Sequence, residues 1–382
     1  MMSLWSFLAH TDTRYDVPLG LFIVAFAFRA ALNDLKAFSP ADETSYLRFT
    51  KKFSEPGIWS QLPALTQRFV DGDPEATHPF RFAWYAFTAL VCRFSRPRNV
   101  ITYKKLAWVS TLAGSTAPSI AYLLASRHGL PALPAALLVM TAPIHLGLGR
   151  RALQDTALGS LTALSFLAAG TGNWLLLLPL LTITLFVKEV SLLGWPGYAA
   201  VFLLASHANG DSIPRTLATS ALALGLPPVL FLATSVRLLG LDLPKLRALY
   251  VKLTRHEHDA YAMDYGRGPA HTYAVGLALA SPLIVIALLR SWHWSALSIG
   301  ILLHVTAWSV LKFKNYRFFT GAEIVLRTLA ASIFLITPPI LTYPLLAAMM
   351  SLDLWMFRRL FLQHDVYDPV IHTIEKALDM VP

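Results

Sequence analysis

Apolar residues in this chain are grouped into long stretches separated by shorter polar segments. A transmembrane helix needs about 20 mostly apolar residues, and a helix satisfies its backbone polar groups without water. The pattern therefore predicts an all-α, polytopic membrane protein with about eleven transmembrane helices. The candidate spans are 17–32, 106–125, 130–149, 156–170, 174–187, 190–206, 216–238, 272–289, 295–311, 318–337 and 340–357.

A twelfth apolar stretch, 78–94, contains two arginines, Arg81 and Arg93. Charged side chains are costly inside the hydrocarbon, whereas an amphipathic helix is stable in the membrane interface. We therefore expect this stretch to lie along the membrane surface. If it crossed the membrane instead, Asp42 and Asp155 would fall on opposite faces; in the interfacial arrangement they share one face.

Composition agrees with a membrane protein, because 55% of the 382 residues are hydrophobic and only 14% are charged. The net charge of +10 comes from basic residues in short segments between apolar stretches. Such residues anchor spans at the interface or bind anionic lipid headgroups, and both can hold here. We expect a membrane as partner and no nucleic acid. Cys92 is the only cysteine, which excludes an intrachain disulfide.

We expect one transmembrane domain over residues 1–382 with three polar regions. Region 33–105 is predicted to form juxtamembrane helices, and 358–382 is predicted to be a polar tail. Region 239–271 is predicted to be a loop, and it holds several potential metal ligands. These ligands are His256, Glu257, His258, Asp259, Asp264 and His271. Their spacing matches no strong metal signature, so a divalent metal stays an open alternative to a solvated loop.

Five short motifs follow one another along the chain: PADETSYLRFTKKF, HPFRFAWYAF, GRRALQDTAL, LFVKEVSLLGWP and KNYRFF. Their order resembles that of the GT-C membrane glycosyltransferases. The nearest branch is that of the protein O-mannosyltransferases and the bacterial aminoarabinose transferases, and the resemblance extends from Val17 to about Ala331. It implies a GT-C fold, with regions 33–105 and 239–271 on the extracytoplasmic side.

The resemblance also implies an activity. A polyprenyl-phosphate or dolichyl-phosphate lipid would donate a sugar with inversion to an unidentified acceptor, at the extracytoplasmic face of a bacterial plasma membrane. A carboxylate would activate the acceptor while cations stabilise the departing phosphate. A lipid or solute transporter, or a flippase, is the alternative, although the sequence contains no internal repeat of the kind that many transporters carry.

The acidic residues are the catalytic candidates. Asp42 matches the first acidic position of the family and is the expected base, and Glu43 would orient the acceptor or a metal. Alternatively, both cap the helix that begins near Thr44. Asp155 matches the second acidic position, with pairing to a neighbouring arginine, Arg150 or Arg151, as its structural alternative.

The substrate-binding candidates are mainly cations. Lys188 and Glu189 interrupt an apolar run, so they face a polar cavity or pair with each other. Lys314 and Arg317 are three residues apart, which places them on one face of a helical turn.

Arg317 suits a phosphate because its planar fork can bind two oxygens, and an interface anchor is the alternative role for both of these cations. His78 and Arg81, in the second motif, complete the set, with a structural hydrogen bond as the alternative role for His78. The implied orientation places most Lys and Arg outside, against the positive-inside rule, and a phosphate-binding face explains part of that excess.

Overall fold

A computed structural model of the chain describes residues 16–32, 42–73, 81–96, 98, 100–248, 271–310, 315–366 and 369–380. Within these ranges the regular secondary structure is helical, and there are no strands. The α-helices are α1 (Asp16–Leu32), α2 (Asp42–Phe53), α3 (Ile58–Val70), α4 (Phe82–Phe94), α5 (Tyr103–Ser115), α6 (Ala117–Arg127), α7 (Ala132–Met140), α8 (Pro143–Gly149), α9 (Asp155–Ala169), α10 (Trp174–Val187), α11 (Trp195–Ala208), α12 (Ile213–Ser220), α13 (Leu226–Leu239), α14 (Thr272–Ala280), α15 (Pro282–Ser291), α16 (Ala296–Ser309), α17 (Thr320–Ala330), α18 (Ile333–Ile336), α19 (Pro339–Phe357) and α20 (Ile371–Ala377). The predicted all-α class is confirmed.

Short helices of other types join some of these elements. Residues Glu189–Gly194 and Tyr316–Phe319 form 3₁₀ turns, which precede α11 and α17. Residues Ala221–Gly225 and Arg358–Gln363 form π-helical turns, which follow α12 and α19.

Three described helical segments are long and apolar enough to cross a membrane: Ile213–Leu239, Tyr316–Ile336 and Pro339–Gln363. The number rises to five if each of two bent helix pairs, α7 with α8 and α14 with α15, counts as one span. The chain thus has the apolar helices of an all-α membrane protein. Other predicted spans coincide with shorter apolar helices such as α9 and α16, so the count of eleven stays a prediction.

Two of the predicted spans are bent rather than straight. The axes of α14 and α15 differ by 113° at Ser281, and those of α7 and α8 differ by 54°. In each pair the second helix begins with a proline, Pro282 or Pro143. Proline lacks an amide donor and disfavours a helical conformation in the residue before it, so each helix ends there. The apolar stretch predicted as a span over 272–289 is therefore interrupted at Ser281, and the stretch predicted over 130–149 is interrupted before Pro143.

Helices α9 and α17 form the centre of the fold. All residues of α17 are buried, and so are those of α9 except Leu161 and Leu164. The two helices pack closely because glycines lie at their contact: a Cβ at Gly321 would come within 2.4 Å of the Thr162 Cβ. Small residues allow such close helix packing in membrane proteins. The N-termini of α9 and α17 consequently meet.

Large apolar side chains are exposed on several of the outer helices. They include Leu19, Ile23 and Val24 on α1, Val229 and Leu232 on α13, and Ile340 and Leu341 on α19. Extended apolar surface of this kind marks a contact with a partner or a membrane. Its position on long apolar helices agrees with contact with lipid.

The polar region 33–105 contributes helices α2, α3 and α4 as far as it is described. Helix α2 packs against α4, and rings from both helices form an aromatic cluster of Tyr46, Phe49, Phe53 and Tyr85. The helical part of the prediction is confirmed, whereas the interfacial position of α4 stays a prediction.

The C-terminal region differs from the predicted polar tail. Its helix α20 packs against α14 and buries Ile374 and Ala377. Just before α20, the carbonyl of Pro369 accepts a hydrogen bond from the amide of Tyr316 at 2.9 Å. Val370 is also buried, and its spacing to Ile374 and Ala377 gives the segment an apolar face that packs onto the protein.

Candidate functional site

Asp155, the first residue of α9, is completely buried between two cations. Its Oδ1 accepts a hydrogen bond from Lys188 Nζ at 2.8 Å, and its Oδ2 accepts one from Arg317 Nε at 3.3 Å. A buried carboxylate needs such partners, because an unpaired charge in the interior is strongly destabilising. The alternative partners suggested by the sequence, Arg150 and Arg151, are not the ones that hold its carboxylate oxygens.

Lys188 and Glu189 are neighbours in sequence but pair with different residues. Helix α10 ends at Lys188, whose backbone is extended with φ −158° and ψ 111°. Successive side chains of an extended backbone point to opposite sides. Lys188 therefore reaches Asp155, while the two Glu189 oxygens accept hydrogen bonds from Arg81 at 3.2 and 3.4 Å. A mutual salt bridge of Lys188 and Glu189 is excluded by this geometry.

The Arg81–Glu189 pair is the more accessible side of this cluster, with 21% of the Arg81 and 19% of the Glu189 side chain exposed. Together, the three basic side chains of Arg81, Lys188 and Arg317 face the carboxylates of Asp155 and Glu189. Burial lowers the pKa of Lys188; Asp155 opposes that shift, and Arg81 and Arg317 add to it. The cluster is electrostatically suited to an anion.

Arg317 is positioned by the 3₁₀ turn that precedes α17. Asn315 caps this turn by accepting a hydrogen bond from the Arg317 amide at 2.9 Å. The hydroxyl of Thr320 donates to the carbonyl of Asp155 at 3.1 Å, which ties the start of α17 to the start of α9. Lys188 Nζ also lies 4.3 Å from the ring centroid of Phe318, a favourable cation–π distance.

Glu43 joins helix α2 to the loop before Asp155. It is completely buried, and its Oε1 accepts hydrogen bonds from the Ala152 amide at 2.7 Å and from the Tyr103 hydroxyl at 3.0 Å. Arg151 lies 3.7 Å from its other oxygen. Burial and the negative charge of Glu43 raise the pKa of Tyr103, so this phenol keeps the proton that it donates. These contacts favour a structural role for Glu43, and its expected role toward an acceptor or metal stays a prediction.

Three of the predicted site residues are not fully described. Asp42 begins α2, next to Glu43, but its side chain lies outside the described structure, and so do His78 and Lys314 entirely. The potential metal ligands from His256 to Asp264 also lie outside it. Within the described part of the chain, no group of three or more His, Cys, Asp or Glu residues could hold a metal ion.

The C-terminal region contributes contacts that the sequence did not suggest. Asp365 forms an ion pair with Arg151, the same arginine that approaches Glu43. Arg150 donates to the carbonyl of Phe361 at 3.1 Å. The segment after α19 therefore packs beside the loop that carries Asp155. No local sequence pattern predicts this contact, because it joins segments that are more than 200 positions apart along the chain.

Gln154, next to Asp155, is another residue that the sequence analysis missed. Its side chain is completely buried, and neither its amide nitrogen nor its amide oxygen has a hydrogen-bond partner within the described part of the chain. Buried amides are normally paired, so this residue is an exception at the candidate site.

A second buried charge cluster lies in the predicted spans. Arg327 donates to Glu323 Oε1 at 3.0 Å, to the Leu138 carbonyl at 3.0 Å, and to Asp353 and Ser281. The sequence does indicate this cluster, because the ionisable residues Glu323, Arg327 and Asp353 lie within predicted apolar spans.

An apolar groove begins beside the candidate site. It has a volume of about 350 Å³ and lies between the bent pair α14–α15 and helices α16 and α17. Its lining includes Leu277, Val285, Val305 and Leu326, together with Phe319, which lies two residues after Arg317. The turn that carries Arg317 thus also contributes Phe319 to an apolar surface.

No family model, no curated protein and no solved structure matches the chain.

Proposed function

We propose that the protein is a GT-C-type membrane glycosyltransferase that moves a sugar from a polyprenyl-phosphate or dolichyl-phosphate donor to an acceptor. The observation that supports this most is the cluster of Arg81, Lys188 and Arg317 around Asp155, beside the apolar groove at Phe319. A lipid phosphate has the matching chemistry: an anionic head and a long apolar chain.

In the proposed reaction, Asp42 accepts the proton of the acceptor's nucleophilic group. That group forms a bond to the anomeric carbon as the bond from this carbon to the phosphate oxygen breaks, with inversion. General-base assistance typically contributes ~10²–10⁴-fold to the rate. The lipid phosphate leaves with the bonding electron pair, and Lys188 and Arg317 stabilise its negative charge. Asp155 holds these two cations in place.

The proposal includes about eleven spans and an extracytoplasmic site in a bacterial plasma membrane. Single cysteines at Thr44 and Leu243, both exposed and both outside the predicted spans, in a Cys92-free background test the common face. A membrane-impermeant thiol reagent added to intact cells should label both. Labelling of the two positions from opposite sides would contradict the arrangement, and labelling of both only after lysis would contradict the orientation.

The activity is tested with purified protein in nanodiscs and a panel of polyprenyl-phosphate sugars. Release of polyprenyl phosphate, followed by mass spectrometry, is the expected result. Lys188→Ala and Arg317→Ala should each weaken donor binding, and Arg68→Ala, at an exposed pair, is the control. Unchanged donor affinity in both site variants would mean that these cations have a structural role. Uptake of the lipid or solute by sealed vesicles, without release of polyprenyl phosphate, would favour a transporter.

A further inference from the structure

Arg29 is a buried arginine that the proposed transferase reaction does not use. It lies in the last turn of α1, and only 3% of it is exposed. Its guanidinium donates to the carbonyl of His145 at 3.2 Å and to Nδ1 of the same residue at 2.8 Å. Because arginine can only donate, His145 Nδ1 must accept, which places the proton of the neutral imidazole on Nε2.

Arg29 has no carboxylate partner within the described structure. Its only polar contacts there are with His145, which is neutral in this arrangement. The buried acids Glu323 and Asp353 both pair with Arg327. The negative end of the α1 helix dipole, roughly half an elementary charge, offsets only part of the guanidinium charge. A buried charge without a counter-ion is strongly destabilising, so a negative ligand beside Arg29 would stabilise the fold.

Two buried donors point to the same conclusion. Arg29 Nε and His145 Nε2 are both buried, and neither has a hydrogen-bond partner among the described residues. Since both atoms carry hydrogens, each lacks an acceptor rather than another donor. Buried donors are nearly always paired in proteins, so the unpaired Nε of Arg29 indicates that an acceptor binds beside this arginine.

A small cavity beside Arg29 supplies the space. Its volume is about 10 Å³, and it is lined by Arg29, Thr111, Gly149, Arg150 and apolar side chains of α1, α8 and α19. Glycine keeps this region open, because a Cβ at Gly149 would lie 2.9 Å from Arg29 Nη1. A volume of about 10–15 Å³ is the minimum for one water-sized particle. The cavity is therefore about the size of one water molecule: a monatomic anion enters it only with a small shift of the side chains that line it, and a phosphate or carboxylate group is excluded.

We propose that the cavity between α1, α5, α8 and α19 binds a single halide ion, chloride under physiological conditions, as the counter-ion of Arg29. The ion would accept hydrogen bonds from the guanidinium, with the positive charge of Arg150 on the far side of the cavity. This site is distinct from the cluster at Asp155, and its role is to stabilise the packing of α1 against α5 and α8.

The test uses the full-length protein in detergent or nanodiscs. Its melting temperature is measured while chloride replaces gluconate at constant ionic strength. Binding to the folded state alone should raise the melting temperature by a few degrees, with saturation. Arg29→Gln should abolish the saturable rise, whereas Arg68→Gln, at an exposed position, should retain it. A rise that persists in Arg29→Gln would overturn the proposal. So would an unchanged melting temperature of the unmodified protein when chloride replaces gluconate.

Two further measurements keep the proposal testable if Arg29→Gln does not fold. Gly149→Ala fills the cavity without removing the arginine, and it should abolish the chloride-dependent rise. Bromide-soaked crystals of the unmodified protein should show an anomalous peak within hydrogen-bonding distance of the Arg29 guanidinium. Absence of that peak at saturating bromide would show that the cavity does not bind a halide.

Discussion

Arg317 donates its Nε to Asp155 Oδ2 at 3.3 Å, although 162 positions separate the two residues along the chain. Lys188, 33 positions after Asp155, holds the other oxygen of the same carboxylate. One buried acid thus brings together the end of α10, the start of α9 and the turn before α17. The position of both cations depends on this acid.

The first prediction concerns the stability that Asp155 provides. Asp155→Asn removes the carboxylate that pairs with Lys188 and one partner of Arg317, and loss of one partner of a buried pair typically costs ~3–5 kcal/mol. We expect a loss of that size in the free energy of unfolding. Asp242→Asn is the control, because Asp242 is 59% exposed and pairs loosely with Lys245 at 3.8 Å. That change should cost less than ~1 kcal/mol. Equal losses in the two variants would contradict a central role for Asp155.

Sequence reasoning identified the members of this cluster but not their pairing. Asp155, Lys188 and Arg317 stand out because they are charged residues beside apolar runs and lie in the motifs of a known family. Which of them meet depends on how distant helices pack. Local reasoning left open whether Lys188 and Glu189 pair with each other or face a polar cavity, and only the extended backbone at Lys188 shows that the two side chains diverge.

The same limit applies to the fold. Apolar stretches predicted where helices form, but not that Ser281 and Pro282 interrupt one of them. The C-terminal region was predicted as a polar tail, whereas the spacing of Val370, Ile374 and Ala377 gives it an apolar face. Arg29 and His145 meet across 116 positions, a relationship that no local pattern contains.

The second prediction compares two carboxylates that face the same arginine, Arg151. Glu43 is completely buried, whereas 55% of the Asp365 side chain is exposed. Glu43→Gln keeps an acceptor for the Ala152 amide but removes a buried charge, so it should cost about 3 kcal/mol. Asp365→Asn should cost less than ~1 kcal/mol, since water screens exposed pairs and Asn tolerates the positive φ of 46° found there.

Denaturation of both variants in the same detergent measures this difference. A larger loss in Asp365→Asn than in Glu43→Gln would mean that the C-terminal segment, rather than Glu43, holds Arg151.

The third prediction concerns the second buried cluster. Arg327 donates to groups in three other places on the fold: Leu138, Ser281 and Asp353. Lysine cannot reproduce this planar array of donors. Arg327→Lys should therefore cost ~3–5 kcal/mol, as expected for a broken buried network. Arg68→Lys, at a pair with a half-exposed arginine, should change stability by less than ~1 kcal/mol, and equal melting temperatures would contradict the prediction.

The fourth prediction is a dependence of stability on pH. Burial, together with the positive charge of Arg127 and the proximity of His293, lowers the pKa of His128 to about 4. The unfolded chain, with an ordinary pKa near 6.5, binds this proton more readily, so stability should fall as the pH drops from 6.5 to 4. The contribution is at most about 3 kcal/mol.

His128→Gln should remove this part of the pH dependence, whereas His207→Gln serves as a control for an exposed histidine. Melting curves between pH 4 and pH 7 measure it. An unchanged slope in His128→Gln would mean that His128 does not titrate in this way.

The last prediction separates the two neighbouring acids at the start of α2. Glu43 is held by Ala152, Tyr103 and Arg151, so Glu43→Gln should reduce the yield of folded protein more than the turnover of each folded molecule. Asp42→Asn should do the opposite: Asn is nearly isosteric and stabilises a helix N-terminus as Asp does, but it cannot accept the acceptor's proton. Transfer should fall by ~10²-fold or more. The measurement is sugar transfer per folded molecule in nanodiscs. Near-normal turnover in Asp42→Asn would make Asp42 a helix-capping residue and would leave the proposed transferase without its base.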